Sequence, residues 1–143
     1  DKSPTACLYS KDDLTIKGTG ELTVIAEHNN GIGTKNDLRI NGGIITVSAV
    51  NNALKGNDSV DIRGGRITIL ECEDGIKAEK EDRKEKGFVR INGATVYITA
   101  ADDAVQAPLS VEITNASVTT NAQDMAINCK GNVYVQDGCL IEN

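Results

Sequence analysis

Residues 37–47 read Asp-Leu-Arg-Ile-Asn-Gly-Gly-Ile-Ile-Thr-Val, and residues 59–69 read Ser-Val-Asp-Ile-Arg-Gly-Gly-Arg-Ile-Thr-Ile, 22 positions further along the chain. In both stretches, apolar and polar residues alternate on either side of a Gly-Gly pair. This pattern is typical of two short strands joined by a turn. Related segments recur along the 143-residue chain, which indicates a repeat of about six units.

The length of the repeat selects the architecture. A 22-residue unit leaves no room for a crossover helix, which excludes Rossmann and TIM-barrel folds. A β-propeller blade needs about 40 residues. A coil that closes on itself and stacks on the next coil remains. We therefore predict an all-β, right-handed, single-stranded parallel β-helix with about six coils of about 22 residues.

We expect one domain over residues 1–143, with a charged loop insertion at residues 79–87 that interrupts a single coil. The chain begins at Asp1 and has no signal-peptide pattern, so we expect a mature product or a domain excised from a longer protein. We expect the protein to be a monomer or to form part of a larger chain.

Stacked coils place equivalent residues in columns about 4.8 Å apart. β-Branched side chains suit such pleated columns. The predicted inward columns are Leu38, Val60, Val89, Val111 and Val133; Ile40, Ile62, Ile91, Ile113 and Val135; Ile45, Ile67, Val96, Val118 and Leu140; and Ile32, Leu54, Ile76, Val105 and Ile127. An outward column alternates in charge, as lateral neighbours should: Arg39, Asp61, Arg90 and Glu112.

Composition excludes several classes of partner. The formal net charge of −6 argues against binding to nucleic acid or to an anionic membrane. No apolar run is long enough to span a membrane, so membrane insertion is not expected.

The four cysteines have spacings that match no zinc motif, and we expect them to be small buried hydrophobic residues of the stack.

A polar pair opens most coils at one corner, and in the stack these pairs would form a wall of oxygen ligands. Calcium prefers about six to eight oxygens, from carboxylates, amides and backbone carbonyls. The first predicted calcium site uses Glu73, Asp74, Asp102 and Asp103, and a second uses Asn51 and Asn52 with Glu73 and Asp74. The alternative is a ladder of Asn and Asp turns in which side chains bond to the backbone and no metal is bound.

Several motifs carry a resemblance to a known family. They are Glu-Asp-Gly-Ile-Lys-Ala at residues 73–78, its relatives at 51–56 and 102–107, the coil ending Gly-Gly-x-Ile-Thr-Val, the opening at 9–16 and the insertion leading into 86–89. Together they resemble a bacterial β-helix family of carbohydrate-binding domains, related in fold to calcium-dependent pectate lyases. The resemblance implies an extracellular or cell-surface domain. Such a domain binds acidic, pectin-like or β-linked plant polysaccharide (polygalacturonate or a cellulose-like glycan) with Ca²⁺ between coils.

Binding, catalysis and a purely structural role remain open at this point. The predicted substrate-binding residues are Lys55, Lys77, Gln106 and Tyr97. A calcium-dependent polysaccharide lyase would need a basic residue to take a proton, and Lys77 and Lys55 would serve. Binding is favoured over catalysis because a lyase groove is walled by long loops, and this chain has one insertion. A rigid spacer is the third reading.

Overall fold

The computed structural model describes residues 5–81 and 85–143, and all regular structure in these ranges is β-strand. Residues 82–84 of the predicted insertion lie outside the described residues. No helix long and apolar enough to cross a membrane is found in the described ranges. In chain order the strands are β1 (Ala6–Ser10), β2 (Leu14–Ile16), β3 (Glu21–Ala26), β4 (Asn30–Thr34), β5 (Asp37–Ile40), β6 (Ile44–Ala49), β7 (Leu54–Gly56), β8 (Ser59–Ile62), β9 (Arg66–Glu71), β10 (Ile76–Ala78), β11 (Phe88–Asn92), β12 (Thr95–Ala100), β13 (Val105–Ala107), β14 (Ser110–Thr114), β15 (Ser117–Ala122), β16 (Ile127–Cys129), β17 (Asn132–Val135) and β18 (Leu140–Glu142).

These strands form three six-stranded sheets in which every neighbouring pair is parallel. The first sheet is β1-β4-β7-β10-β13-β16, the second is β2-β5-β8-β11-β14-β17, and the third is β3-β6-β9-β12-β15-β18. Each coil gives one strand to each sheet, and each strand pairs with its equivalent one coil away. The predicted parallel β-helix of about six coils is therefore confirmed.

The sequence pattern predicted two strands in each coil, whereas the structure has three. The additional strand forms the first sheet and follows the polar corner directly. In the middle coils it is only three residues long, as in Leu54–Gly56, with two buried residues flanking one that points outward. Three residues are too few to show an alternation in the sequence, although the apolar column at this place was recognised.

The four predicted apolar columns coincide with the paired residues of the sheets. Leu38 pairs with Val60 and Val60 with Val89, for example, and both Ile40 and Ile91 pair with Ile62. Ile62 is fully buried, and burying such a side chain contributes about 1.5–3 kcal/mol. Val133, on the edge strand β17 of the second sheet, is 49% exposed. The register inferred from the sequence thus holds throughout the stack.

The outward column of alternating charge is confirmed in register, but its contacts differ from the simple ladder that we predicted. Arg90 lies between Asp61 and Glu112, with nitrogen–oxygen distances of 4.0 and 3.7 Å. Arg63, from the same coil as Asp61, approaches the Asp61 carboxylate to 2.9 Å. Asp61 is consequently buried, and Arg39 pairs within its own coil instead.

All four cysteines are free thiols. Cys72 and Cys139 are buried, as expected for small apolar residues of the stack, and Cys129 is partly buried. The expectation is wrong for Cys7, which is exposed. It lies on β1, which is at one edge of the first sheet.

We predict that Ile62→Ala lowers the free energy of unfolding by about 2–5 kcal/mol, because it leaves a cavity between two coils. The matched control is Ile25→Ala on β3, where the side chain is 66% exposed, and its effect should stay below about 1 kcal/mol. Chemical denaturation at one pH measures both. Equal losses in the two variants would contradict the assignment of the inward column.

Candidate functional site

The corner that precedes each first-sheet strand aligns two columns of mostly polar residues. The outer column is Asn29, Asn51, Glu73, Asp102 and Asp124, and the inner column is Asn30, Asn52, Asp74, Asp103 and Met125. Along the outer column each backbone N–H donates to the carbonyl oxygen one coil earlier, at 2.8–3.1 Å. Stacking therefore remains in register at the corner, and residues far apart in sequence become direct neighbours.

The first four residues of the inner column are buried, and the column forms a hydrogen-bonded ladder. Asn30 Oδ1 accepts from the backbone N–H of Asn52 at 3.0 Å, and Asp74 Oδ1 accepts from that of Asp103 at 3.1 Å. Asp103 Oδ1 accepts from Met125 N–H, also at 3.1 Å. Between Asn52 and Asp74 the pattern breaks, and Asn52 Oδ1 is buried without a hydrogen-bond partner. The turn ladder offered as the alternative to a metal site is therefore present, with one interruption.

Three of the four residues of the first predicted calcium site come together. Asp74, Asp102 and Asp103 each offer an oxygen within 4.8 Å of the others, and Asp74 and Asp103 are buried. Glu73 stands beside Asp102 in the outer column but is exposed and is not part of this cluster. An all-oxygen donor set of carboxylates suits a hard cation such as calcium, with backbone carbonyls and water to complete the shell.

The amides of the second predicted site make bonds to the preceding coil. Asn51 Nδ2 donates to Asn29 Oδ1 at 3.1 Å, and Asn52 Nδ2 donates to Asn30 Oδ1 at 3.0 Å. Asn52 Oδ1 is the oxygen at this level that lacks a partner. The Asn pairs thus form an amide ladder, and their assignment to a metal stays a prediction.

Electrostatic repulsion is concentrated at Asp102. Asp103 is the main cause of a raised pKa for Asp102, followed by desolvation and by the charges of Asp74, Asp124 and Glu73. A bound cation would remove this repulsion. Burial, and secondly the charge of Asp74, raises the pKa of the nearby Cys72 thiol to about 12, so this thiol adds no negative charge to the corner at neutral pH.

A row of outward residues on the first sheet runs beside this corner. In register order it is Tyr9, Gly33, Lys55, Lys77, Gln106 and Asn128. Lys55 Nζ lies 2.9 Å from Glu79 Oε2, and Lys77 Nζ lies 3.4 Å from Asp74 Oδ2. The structure therefore brings together three of the four predicted substrate-binding residues, and it joins them to the acidic corner.

Tyr97, the fourth predicted substrate-binding residue, lies elsewhere. It is on β12 of the third sheet, where the Arg66 guanidinium stands 5.4 Å from the centre of its ring. The aromatic residue that aligns with the lysine row is Tyr9, which the prediction omitted. It belongs to the irregular first coil, so extending the register by one more coil is the signal that would have found it.

The described residues at the start of the insertion form one wall of an open cavity of about 650 Å³. The floor includes Lys77, Gln106 and Asn128, and the insertion contributes Glu79, Lys80 and Glu81. On the far side, Glu81 forms an ion pair with Lys130. The insertion is charged, and its described residues Glu79 and Glu81 are exposed while they form ion pairs with Lys55 and Lys130 of the coils.

Both ends of the insertion are held by one buried carboxylate. Lys80 Nζ and Lys86 Nζ lie 4.0 and 3.4 Å from the oxygens of Asp58. Backbone N–H groups of Glu79 and Lys80 also donate to the Asn57 carbonyl oxygen at 3.2 and 2.8 Å. The cavity wall is therefore anchored to the preceding coil by charge and by main-chain bonds.

Comparison with known proteins gives concordant results. Residues 1–140 match the model of a family described as carbohydrate-binding domain-containing protein. A protein of that description from Acetivibrio thermocellus is 58% identical over 140 residues, which is 98% of this chain and 49% of the relative. The chain thus spans about half the length of that curated relative.

A solved structure is similar over the whole chain. It is described as the polysaccharide lyase-like protein from C. thermocellum, in a gadolinium derivative. The TM-score is 0.96 at 51% identity, and the match covers 100% of this chain and 58% of that one.

We predict that Asp102→Asn raises the melting temperature at pH 7 in the presence of a chelator, because it removes the repelled charge. The folded-state pKa of Asp102 is raised, so the folded chain keeps this proton to a higher pH than the unfolded chain. The contribution of Asp102 to stability therefore falls as pH rises through that pKa. The increase in melting temperature should disappear at a pH below both the folded-state and the unfolded-state pKa of Asp102, where the wild-type carboxyl is also uncharged.

Asp137→Asn is the control, since Asp137 is an exposed carboxylate in the turn before β18. It should leave the melting temperature nearly unchanged at both pH values. A lower melting temperature for Asp102→Asn than for wild type at pH 7 would contradict the account of the corner.

Proposed function

The chain belongs to the family of carbohydrate-binding domain-containing proteins, and we propose that it binds an acidic, pectin-like or β-linked plant polysaccharide with the assistance of calcium. Such a ligand would be met outside the cell or at its surface, and we propose that location for the domain. The observation that carries the proposal is the outward row of the first sheet, which leads into the cavity beside the carboxylate cluster.

The row has the chemistry of a polysaccharide-binding surface. Lys55 and Lys77 supply ammonium donors for carboxylates and hydroxyls, and Gln106 and Asn128 supply amides. Tyr9, 42% exposed, supplies an aromatic face in the same line. Because each coil adds one residue to the row, the surface extends along the axis of the stack, as a linear chain of sugars requires.

Charge supports the involvement of calcium. The chain has a net charge of −6, so an anionic polysaccharide would be repelled at long range. A divalent cation held by Asp74, Asp102 and Asp103 would reverse the local charge and could take a ligand carboxylate as a further oxygen donor. The similar solved structure is described as a gadolinium derivative, and gadolinium is, like calcium, a hard cation.

A calcium-dependent lyase is the second candidate, and the similarity to a polysaccharide lyase-like protein favours it. The ion pairs made by the two candidate bases favour binding over catalysis. Lys55 and Lys77 contact Glu79 and Asp74, at 2.9 and 3.4 Å respectively. An ammonium in an ion pair serves to hold an anion, whereas proton abstraction needs the uncharged amine.

We predict calcium-dependent binding to polygalacturonate, measured by calorimetry or affinity electrophoresis, that is lost when calcium is chelated. At saturating calcium, Lys77→Ala should weaken binding about tenfold, since a hydrogen bond to a charged group contributes about 1.5–3 kcal/mol. Lys17→Ala removes an equal charge from an exposed site between β2 and β3 and should leave affinity unchanged. If the protein bound neither polygalacturonate nor cellulose oligomers, the binding proposal would be contradicted and a role as a rigid structural spacer would be favoured.

We predict that incubation with polygalacturonate and calcium yields no unsaturated product above the level of a Lys77→Ala control. Absorbance in the ultraviolet follows the double bond that a lyase creates. Steady product formation by wild type, abolished by Lys77→Ala and retained by Lys17→Ala, would establish the enzyme and overturn the proposal of simple binding.

A further inference from the structure

Two amides that line the cavity, those of Gln106 and Asn128, donate hydrogen bonds to the same buried carboxylate. Asp103 is 1% exposed, and its Oδ2 accepts hydrogen bonds from Gln106 Nε2 at 3.0 Å and from Asn128 Nδ2 at 2.8 Å. Its Oδ1 accepts from the backbone N–H of Met125. One buried side chain therefore joins the corner to two successive residues of the outward row.

This arrangement fixes which way the two amides face. A carboxylate offers only acceptors, so Gln106 and Asn128 must turn their NH₂ groups toward Asp103. Their carbonyl oxygens then face away from Asp103 and, with the second N–H of each amide, are left for the cavity that both residues line. Among the described residues, no hydrogen bond to either of these oxygens is found. The cavity wall consequently presents two oriented acceptors beside the ammonium group of Lys77.

We propose that Asp103 is a positioning residue that makes this cavity selective for sugar hydroxyl groups. Two acceptor oxygens suit a ligand that donates O–H bonds and disfavour a carboxylate at the same place. Carboxylates of an acidic glycan are left to Lys77 and to the corner. The proposal rests on the proposed binding function and assigns Asp103 a role beyond that of a cation ligand.

A comparison of isosteric variants tests the orientation. Asp103→Asn replaces one carboxylate oxygen by an NH₂ group. With the remaining oxygen held by the backbone N–H of Met125, the NH₂ group lies toward Gln106 and Asn128, so both amides rotate and present N–H donors to the cavity. We expect about tenfold weaker binding of polygalacturonate oligomers at saturating calcium. The calcium affinity of each variant is measured in parallel. Asp37→Asn is the matched control, because Asp37 also accepts a side-chain hydrogen bond, from Ser59 at 2.7 Å, but lies on the second sheet.

The double variant D103N/Q106E exchanges donor and acceptor in the hydrogen bond between positions 103 and 106. The new amide at position 103 would donate to the new carboxylate at position 106, whose second oxygen would face the cavity. Gln106→Glu alone places two carboxylates in contact and should bind at least as weakly as D103N. We expect the double variant to bind several-fold more tightly than either single variant. If Asp103 acted only as a cation ligand, the double variant would bind no better than D103N, and that result would overturn the proposal.

A spectroscopic readout separates failure of this inference from failure of the proposed function. In ¹⁵N-resolved NMR spectra of the free protein, the side-chain amide protons of Gln106 and Asn128 should be shifted and protected in wild type. They should lose both properties in D103N and keep them in D37N. If wild type binds no glycan, the proposed function fails while these signals still decide the orientation. Unprotected amides in wild type would refute it.

A per-O-methylated oligomer tests the selectivity for hydroxyls. The probe keeps the backbone and the free carboxylates of the oligomer, but each hydroxyl becomes a methyl ether that can accept and cannot donate a hydrogen bond. We expect at least tenfold weaker binding of this probe than of the unmodified oligomer, and a smaller difference between the two in D103N. Equal affinities of wild type for both probes would contradict the assignment of the cavity oxygens.

Discussion

Parallel pairing of each strand with its equivalent one coil away is the constraint on which the structure depends. Because the register is kept in the three sheets, apart from one shift after Val47 in the third, a residue type that recurs along the sequence becomes a row in space about 4.8 Å apart. Aliphatic rows such as Ile40, Ile62 and Ile91 pack into a continuous core. The same constraint acts on polar residues, and there it has functional consequences.

At the polar corner the register forces like charges to be neighbours. Asp74 and Asp103 are adjacent and buried, and Asp102 has an acidic residue on either side in its own column. The chain offsets this with backbone N–H donors, with Lys77 and with the amides that bond to Asp103. The residual repulsion at Asp102 is the part that the proposed calcium would relieve. Corner and outward row are thus one electrostatic unit, linked through Asp74 and Asp103.

The sequence was sufficient for those features that recur with the repeat. The coil length, the apolar columns and the meeting of Asp74, Asp102 and Asp103 all follow from one period. Features that depend on a single non-repeated contact were not accessible. The contact of Glu81 with Lys130 joins the insertion to the far side of the cavity, across 49 residues of sequence. Tyr97 was assigned to the same surface as the lysines because it is an outward aromatic residue, but its strand belongs to the third sheet. The bonds from Asp103 to Gln106 and Asn128 depend on side-chain directions that spacing does not encode.

Diffraction from crystals of the protein grown with calcium and an oligogalacturonate tests the central claim most directly. The account predicts a cation with oxygen ligands from Asp74, Asp102 and Asp103, and an oligomer lying along the first sheet with hydroxyl groups at Gln106 and Asn128. A corner that holds no cation at saturating calcium, together with an oligomer bound on the second or third sheet, would contradict it.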